Sequence, residues 1–281
     1  MSPLVSVDDL RRHLGDPDWI VFDARHDLAA PAAGEAAYRE AHVPGARFAH
    51  LDRDLSGPKV AGAGRHPLPS RAALADFFAT RGVNARSKVI AYDASNALYA
   101  SRVWWSLRWL GHADAAVLDG GWPAWIEAGG PTTDAPPTIV HGDFRENPSL
   151  VAAVDTRDVE ANLVTKARLV VDARAPERYR GEVEPLDPVA GHIPHAVNRP
   201  MAMNMDSTGR FKPPGVLRAE FERLLDGRPP ETLIHSCGSG VTACHNRLAM
   251  EVAGLPGAAV YPGSWSAWCA DPARAVARGS E

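Results

Sequence analysis

Cys237 is the residue of this chain best placed for covalent chemistry, because of what stands on either side of it. The β-prone run Thr232-Leu233-Ile234 precedes it, glycines follow at 238 and 240, and a helical pattern runs over 243–253. A strand, a tight loop and a helix in that order aim several backbone N–H groups at one point, with the positive end of the helix dipole behind them. A thiolate is stabilised at such a point and becomes nucleophilic at neutral pH. The pattern favours a reactive cysteine over a buried structural one.

Length, composition and charge bound the class of protein. The chain has 281 residues, which suggests two domains, and its 45% hydrophobic and 23% charged residues are ordinary for a soluble globular protein. A net charge of -4 gives no basic surface for nucleic acid or for a membrane. No apolar run approaches the roughly 18 residues of a membrane span. Nucleic-acid and membrane partners are therefore not expected.

The cysteine count indicates the redox setting. Three cysteines, Cys237, Cys244 and Cys269, with no C-x-x-C pair, do not predict a disulfide framework or a zinc site. The N-terminus lacks the pattern of a secretory signal. We expect a reducing, cytoplasmic location, where a reactive thiol stays available. Cys244 is expected to be a packing residue rather than a resolving thiol, and Cys269 to be incidental.

The sequence repeats itself once. Four segments recur in the same order and at nearly one offset: 19–25 with 169–174, 41–46 with 191–196, 89–93 with 233–237, and 121–125 with 264–268. A duplicated unit of domain size explains this better than a short repeat. We predict an N-terminal domain over 1–130, a Gly- and Pro-rich linker over 131–150, and a C-terminal domain over 151–281.

Each copy alternates strand and helix patterns. In the first copy we expect strands at 19–23, 88–93 and 115–119, and helices at 6–14, 36–41, 71–80, 97–110 and 122–128; in the second, a helix at 217–225 precedes the strand that leads to Cys237. Such alternation predicts α/β domains, each a mainly parallel sheet flanked by helices. Ligands bind at the carboxyl ends of such strands, where Cys237 falls.

The two copies differ at the position that matters most for chemistry. Asp93 stands in the first copy where Cys237 stands in the second, and Asp93-Ala94-Ser95-Asn96 lacks the glycines. A carboxylate cannot replace a thiolate as a sulfur nucleophile. We expect the first copy to be catalytically silent.

These residues resemble the two-domain rhodanese-type sulfurtransferases over essentially the whole chain. The resemblance is carried by the Asp-Ala-Arg segments at Asp23 and Asp172, the His-x-Pro segments at His42 and His192, and the run Cys237-Gly238-Ser239-Gly240-Val241-Thr242. That run is similar to the loop of the 3-mercaptopyruvate branch, since the thiosulfate branch usually carries basic side chains after its cysteine. The resemblance implies tandem rhodanese-like domains. Backbone groups of Gly238, Gly240, Val241 and Thr242 would then cradle the transferred sulfur.

The resemblance also implies a proton relay. In this family a serine at the position of Ser239 works with a histidine and an aspartate from the N-terminal domain, and His66 and Asp52 stand at the matching places. Such a relay suits general acid–base catalysis. Taken alone, His66 reads as a loop histidine beside a proline and Asp52 as a turn residue.

Arg178 matches the family arginine that holds the anionic end of the donor, for which a planar guanidinium is suited. Taken alone it reads as a solvated helix residue. The mercaptopyruvate branch carries a second arginine about nine residues later, and this chain has Asp187 there. This departure leaves the donor open between 3-mercaptopyruvate and thiosulfate.

The resemblance implies a two-step sulfur transfer through a persulfide on Cys237, with a thiol such as thioredoxin, a small thiol or cyanide as acceptor. Covalent catalysis of this kind needs no metal or organic cofactor. A cysteine phosphatase is disfavoured because Ala243 stands where such enzymes carry an arginine. A non-catalytic persulfide carrier is a further alternative. Two fused copies are compatible with a monomer.

Overall fold

Each half of the chain builds a five-stranded, all-parallel sheet, so the predicted α/β class with two copies is confirmed. The computed structural model describes residues 2–280. The strand order is β1-β5-β4-β2-β3 in the first sheet and β6-β10-β9-β7-β8 in the second. The same order in both confirms that the repeat in the sequence is a repeat of structure.

The strands of the first sheet are β1 (Leu4–Val5), β2 (Trp19–Asp23), β3 (Arg47–Phe48), β4 (Lys88–Tyr92) and β5 (Ala115–Leu118). Its helices are α1 (Val7–Arg12), α2 (Ala33–Glu40), α3 (Arg71–Thr80), α4 (Ala100–Trp109) and α5 (Gly121–Glu127). Serines begin two of the helices as the sequence predicts, because Ser6 and Ser70 each accept a backbone N–H of the first turn.

The strands of the second sheet are β6 (Ala152–Ala153), β7 (Leu169–Asp172), β8 (Val197–Asn198), β9 (Leu233–Ser236) and β10 (Ala259–Val260). Its helices are α6 (Thr156–Thr165), α7 (Pro176–Tyr179), α8 (Pro214–Leu225), α9 (Thr242–Val252) and α10 (Ser264–Trp268), with short 3-10 helices at Met201–Asn204 and Pro230–Thr232. Strand β9 lies between β7 and β10, so its carboxyl end opens at the middle of the sheet.

The repeated Asp-Ala-Arg and tryptophan segments form one structural device in each copy. Arg25 binds the Asp23 carboxylate and lies 4.4 Å over the Trp122 ring. In the second copy Arg174 binds Asp172 and lies 4.9 Å over Trp265. Each buried guanidinium is thus paired with a carboxylate and an aromatic face. This explains why the two segments recur together.

The chain divides into two compact units that exchange short segments. The first unit holds residues up to Gly57, Pro69–Leu150 and Ser207–Arg210, and the second unit holds Pro58–Leu68, Val151–Asp206 and the residues from Phe211 onward. The segment 131–150, which the sequence predicts as a linker, belongs to the first unit. No helix within residues 2–280 is long and apolar enough to cross a membrane.

Candidate active site

Cys237 directly follows β9 and lies at the carboxyl end of the second sheet. Its side chain is buried, and its sulfur accepts the backbone N–H of Gly240 at 3.1 Å. The hydroxyl of Ser264 accepts the backbone N–H of Cys237 at 3.0 Å and lies 3.8 Å from the sulfur. The Gly240 N–H thus donates to the sulfur, as suits a thiolate or a persulfide, and the Ser264 hydroxyl, which donates to the Tyr261 carbonyl at 2.8 Å, lies beside it.

The loop that follows Cys237 has a conformation that depends on glycine. Gly240 has φ of +79°, and a Cβ there would lie 2.2 Å from the carbonyl oxygen of Pro262. Any other residue would meet both strain and a backbone clash. Val241 is buried, and α9 begins at Thr242. The positive end of α9 therefore stands behind the loop, as the sequence predicts.

Ser239 and His66 lie together in the second unit, although 173 positions separate them in the chain. His66 Nδ1 and Ser239 Oγ are 2.7 Å apart and share a buried hydrogen bond. The segment Pro58–Leu68 brings His66 into this unit. Asp52 belongs to the first unit, where its carboxylate lies 3.8 Å from His26 Nε2. Its place in a relay with His66 stays a prediction.

Arg178, on α7, lies in a cluster of charged side chains. Its guanidinium donates to Glu184 at 2.6 Å and lies 3.6 Å from Asp187. Asp187 also pairs with Arg65. The pKa of Glu184 is lowered. Burial alone would raise this pKa, but hydrogen bonds from Arg178 and from backbone N–H groups outweigh the effect of burial. Burial raises the pKa of Asp187, and its pairing with Arg65 opposes that rise.

The other two cysteines, Cys244 and Cys269, lie in surroundings that do not favour a reactive thiolate. The Cys244 thiol donates a hydrogen bond to the carbonyl oxygen of Gly240 at 3.2 Å and so helps to fix the conformation of the loop that follows Cys237. Burial, together with the nearby Asp187 charge, raises the pKa of Cys269 to about 11. Cys269 is therefore a neutral thiol at neutral pH and a poor nucleophile.

In the first copy, the loop that corresponds to the Cys237 loop is filled by the side chain of Asp93. The Asp93 carboxylate accepts the backbone N–H groups of Ser95 and Ala97 on one oxygen and those of Tyr99 and Ala100 on the other, at 2.7–3.0 Å. The sequence predicts that this helix begins at residue 97. Helix α4 begins instead at Ala100, after the segment that the Asp93 carboxylate binds. The donors that would face a bound anion are used internally.

One group of side chains in the described part of the chain could offer three ligands to a metal. A nitrogen of His26, a nitrogen of His50 and a carboxylate oxygen of Asp52 lie within 4.8 Å of one another. His50 Nδ1 accepts the backbone N–H of Asp52 at 3.1 Å, so its proton resides on Nε2. The Nδ1 atom of His50 is therefore already engaged in a hydrogen bond within the protein.

Two residues of the site were missed by the sequence analysis. Ser264 has φ of +51°, and it aligns with Gly121, whose φ is +56°. A serine at a position that favours glycine is a sign of a functional constraint. Arg65 gave no comparable signal, because nothing in the local sequence places it beside residues 178–187.

His235, two residues before Cys237, makes stability depend on pH. Burial lowers the pKa of His235 from 6.5 to about 3. As pH falls below 6.5 the unfolded chain takes up a proton that the folded protein does not, so stability falls until pH approaches 3. We expect this residue to reduce the free energy of unfolding by about 2 kcal/mol between pH 7 and pH 5.

Denaturant unfolding at the two pH values measures this effect. The loss should be smaller by about that amount in His235→Leu. The exposed His141 is the matched control, and His141→Leu should keep the wild-type pH dependence. An equal loss in all three proteins would show that His235 does not stay neutral.

Known proteins resemble this chain over its whole length. The Rhodanese-like domain family matches residues 6–128 and again residues 155–271. A "Probable 3-mercaptopyruvate sulfurtransferase" of Pseudomonas aeruginosa is 45% identical over 280 residues, covering 99% of both chains. A thiosulfate sulfurtransferase of Cricetulus griseus is 37% identical over 262 residues, covering 90% of this chain and 85% of that one. Relatives with either donor in their names are thus similar to this chain.

Solved structures agree with the sequence comparison. The crystal structure of SseA from Escherichia coli, which presents the rhodanese fold of 3-mercaptopyruvate sulfotransferases, matches with a TM-score of 0.82 and 30% identity. The match covers 95% of this chain and 100% of that one.

Proposed function

Because the chain belongs to the rhodanese family and is a two-domain sulfurtransferase, we propose that it moves sulfur from 3-mercaptopyruvate through a persulfide on Cys237. The acceptor is a thiol or cyanide. In this proposal the second unit alone carries the covalent chemistry, since Asp93 fills the corresponding loop of the first unit.

The observation that carries the choice of donor is the buried hydrogen bond between Ser239 and His66. 3-Mercaptopyruvate carries a thiol proton that must be moved during transfer, whereas thiosulfate does not. A serine hydroxyl joined to an imidazole is suited to moving that proton, because a neutral imidazole has one nitrogen that donates and one that accepts a proton. Ser239 stands two residues after Cys237, at the loop where sulfur would bind.

The charges around the site also favour a donor with a single negative charge. Three arginines, Arg65, Arg174 and Arg178, are matched by three carboxylates, Asp172, Glu184 and Asp187. The formal charges cancel, so the site offers no excess positive charge for a dianion such as thiosulfate. The carboxylate of 3-mercaptopyruvate needs less compensation.

The first step forms a bond between the Cys237 thiolate and the donor sulfur while the carbon–sulfur bond of the donor breaks. The bonding pair passes to the enolate of pyruvate, which becomes pyruvate when it takes up the proton that Ser239 and His66 relay from the donor thiol. The Gly240 N–H and the Ser264 hydroxyl face the Cys237 sulfur. In the second step an acceptor thiolate or cyanide attacks the outer sulfur and releases the Cys237 thiolate.

Comparing the two donors tests this proposal. We expect kcat/KM for 3-mercaptopyruvate to exceed that for thiosulfate by more than about tenfold, because only the former uses the Ser239–His66 pair. Ser239→Ala should reduce the reaction of 3-mercaptopyruvate more than that of thiosulfate. A preference for thiosulfate would overturn the choice of donor. A persulfide that forms but never turns over with small acceptors would indicate a carrier rather than an enzyme.

A further inference from the structure

We infer that Arg65 is a second donor-binding arginine and that the donor carboxylate is held between Arg65 and Arg178. This inference rests on the proposed function, since it assumes a donor that carries a carboxylate. It assigns a binding role to a residue from the N-terminal half of the sequence, in the segment Pro58–Leu68 that belongs to the second unit.

The first support is the position of the two guanidinium groups relative to Gly238. A Cβ built on Gly238 would lie 2.9 Å from Arg65 Nη2 and 3.5 and 3.6 Å from the two terminal nitrogens of Arg178. Both cations therefore border one point, directly after Cys237 in the loop. A carboxylate near this point can accept hydrogen bonds from both guanidinium groups. The absence of a side chain at Gly238 keeps the point open.

The second support is that the cationic side chains of the cluster are more exposed to solvent than the carboxylates that pair with them. The side chains of Arg65 and Arg178 are 26% and 18% exposed, whereas those of Asp187 and Glu184 are each 3% exposed. The cations thus reach solvent while their carboxylate partners lie behind them. An anion that enters from solvent meets the cations first.

The third support is the way Arg65 is held. Its backbone N–H donates to the Ser266 hydroxyl at 3.0 Å, and its side chain pairs with Asp187. Asp187 also lies 3.6 Å from Arg178. One buried carboxylate therefore stands between two guanidinium groups and reduces the repulsion between them. Asp187, at the position where the resemblance implied an arginine, instead holds an arginine from another segment.

Arg65→Met tests the inference through the concentration dependence of persulfide formation. We expect the second-order rate constant for 3-mercaptopyruvate to fall about 10- to 100-fold, as for loss of a charged hydrogen bond. The rate at saturating donor, and the reaction of preformed persulfide with cyanide, should change less than about threefold. Arg180→Met is the matched control, because Arg180 is a neighbouring arginine that pairs with Glu182; it should behave as wild type.

Asp187→Asn separates binding from a merely structural role. If Arg65 served only to pair with Asp187, removing the carboxylate charge would cause the same loss as Arg65→Met. If Arg65 binds the donor, Asp187→Asn leaves donor affinity unchanged or increases it, since the amide oxygen still accepts the hydrogen bond that holds Arg65 while the competing negative charge is lost. This variant decides the question even if Arg65→Met does not fold.

Pyruvate provides a probe that does not depend on turnover. Its carboxylate should bind the Cys237→Ser protein. Adding Arg65→Met to that protein should raise the dissociation constant for pyruvate about 10- to 100-fold. Unchanged pyruvate affinity would overturn the inference whichever donor the enzyme uses. If wild-type protein forms a persulfide from thiosulfate and none from 3-mercaptopyruvate, the proposed donor fails, and the pyruvate result still decides the role of Arg65.

Discussion

Replacing Cys237 with serine is expected to reduce persulfide formation and sulfur transfer by more than about a thousandfold. A serine hydroxyl is not ionised at neutral pH and is a poor nucleophile toward sulfur. The groups around the sulfur, the Gly240 N–H and the Ser264 hydroxyl, remain in place. The loss should therefore come from chemistry and not from folding.

Intact-protein mass spectrometry after exposure to donor alone measures the first step. Wild-type protein should gain the mass of one sulfur atom, and Cys237→Ser should gain none. Cys269→Ser is the matched control, because Cys269 is a buried cysteine whose pKa is raised to about 11; it should gain sulfur at the wild-type rate. Sulfur on the Cys237→Ser protein would assign the chemistry to another residue.

Replacing Asp93 with alanine is expected to destabilise the protein by about 4 kcal/mol, because four backbone N–H groups, three of them buried, lose their acceptor. These donors belong to Ser95, Ala97, Tyr99 and Ala100. Burial raises the pKa of Asp93, and the same four hydrogen bonds oppose that rise. Removing the carboxylate relieves the cost of burying it, which recovers only part of the loss.

Urea unfolding and amide hydrogen exchange together measure this effect. In Asp93→Ala the four amides should exchange faster than the amides of strand β4, which keep their partners in the sheet. Asp76→Ala, at an exposed position of α3, is the control and should change the free energy of unfolding by less than about 0.5 kcal/mol. Unchanged exchange of the four amides in Asp93→Ala would mean that another group accepts their hydrogen bonds.

Local patterns predicted several elements of the fold and the position of Cys237 at the end of a strand. The strand at 19–23 and the helix at 71–80 were predicted at the observed residues, because their hydrophobic periodicity and the Ser70 cap act within a few positions. Cys237 was found for the same reason, since its strand, glycines and helix are contiguous. The repeat then predicted the second sheet from the first.

Contacts between distant segments limited what could be predicted of the site. The resemblance suggested that His66 works with Ser239, but only the fold brings the segment Pro58–Leu68 to the second unit. The same step places Arg65 beside Asp187, so an apparent loss of positive charge at 187 is offset by a residue that precedes it by 122 positions. No local pattern encodes such an exchange.

The exchanged segments have a consequence for how this duplicated gene could change. Ordinarily, two fused copies could be parted again by gene fission, each copy keeping its own sheet. Here a break between the halves would leave the polypeptide that carries Cys237 without the segment that carries Arg65 and His66. The N-terminal half thus supplies a loop to the second unit, and separating the halves would remove that loop even though each half keeps its own sheet.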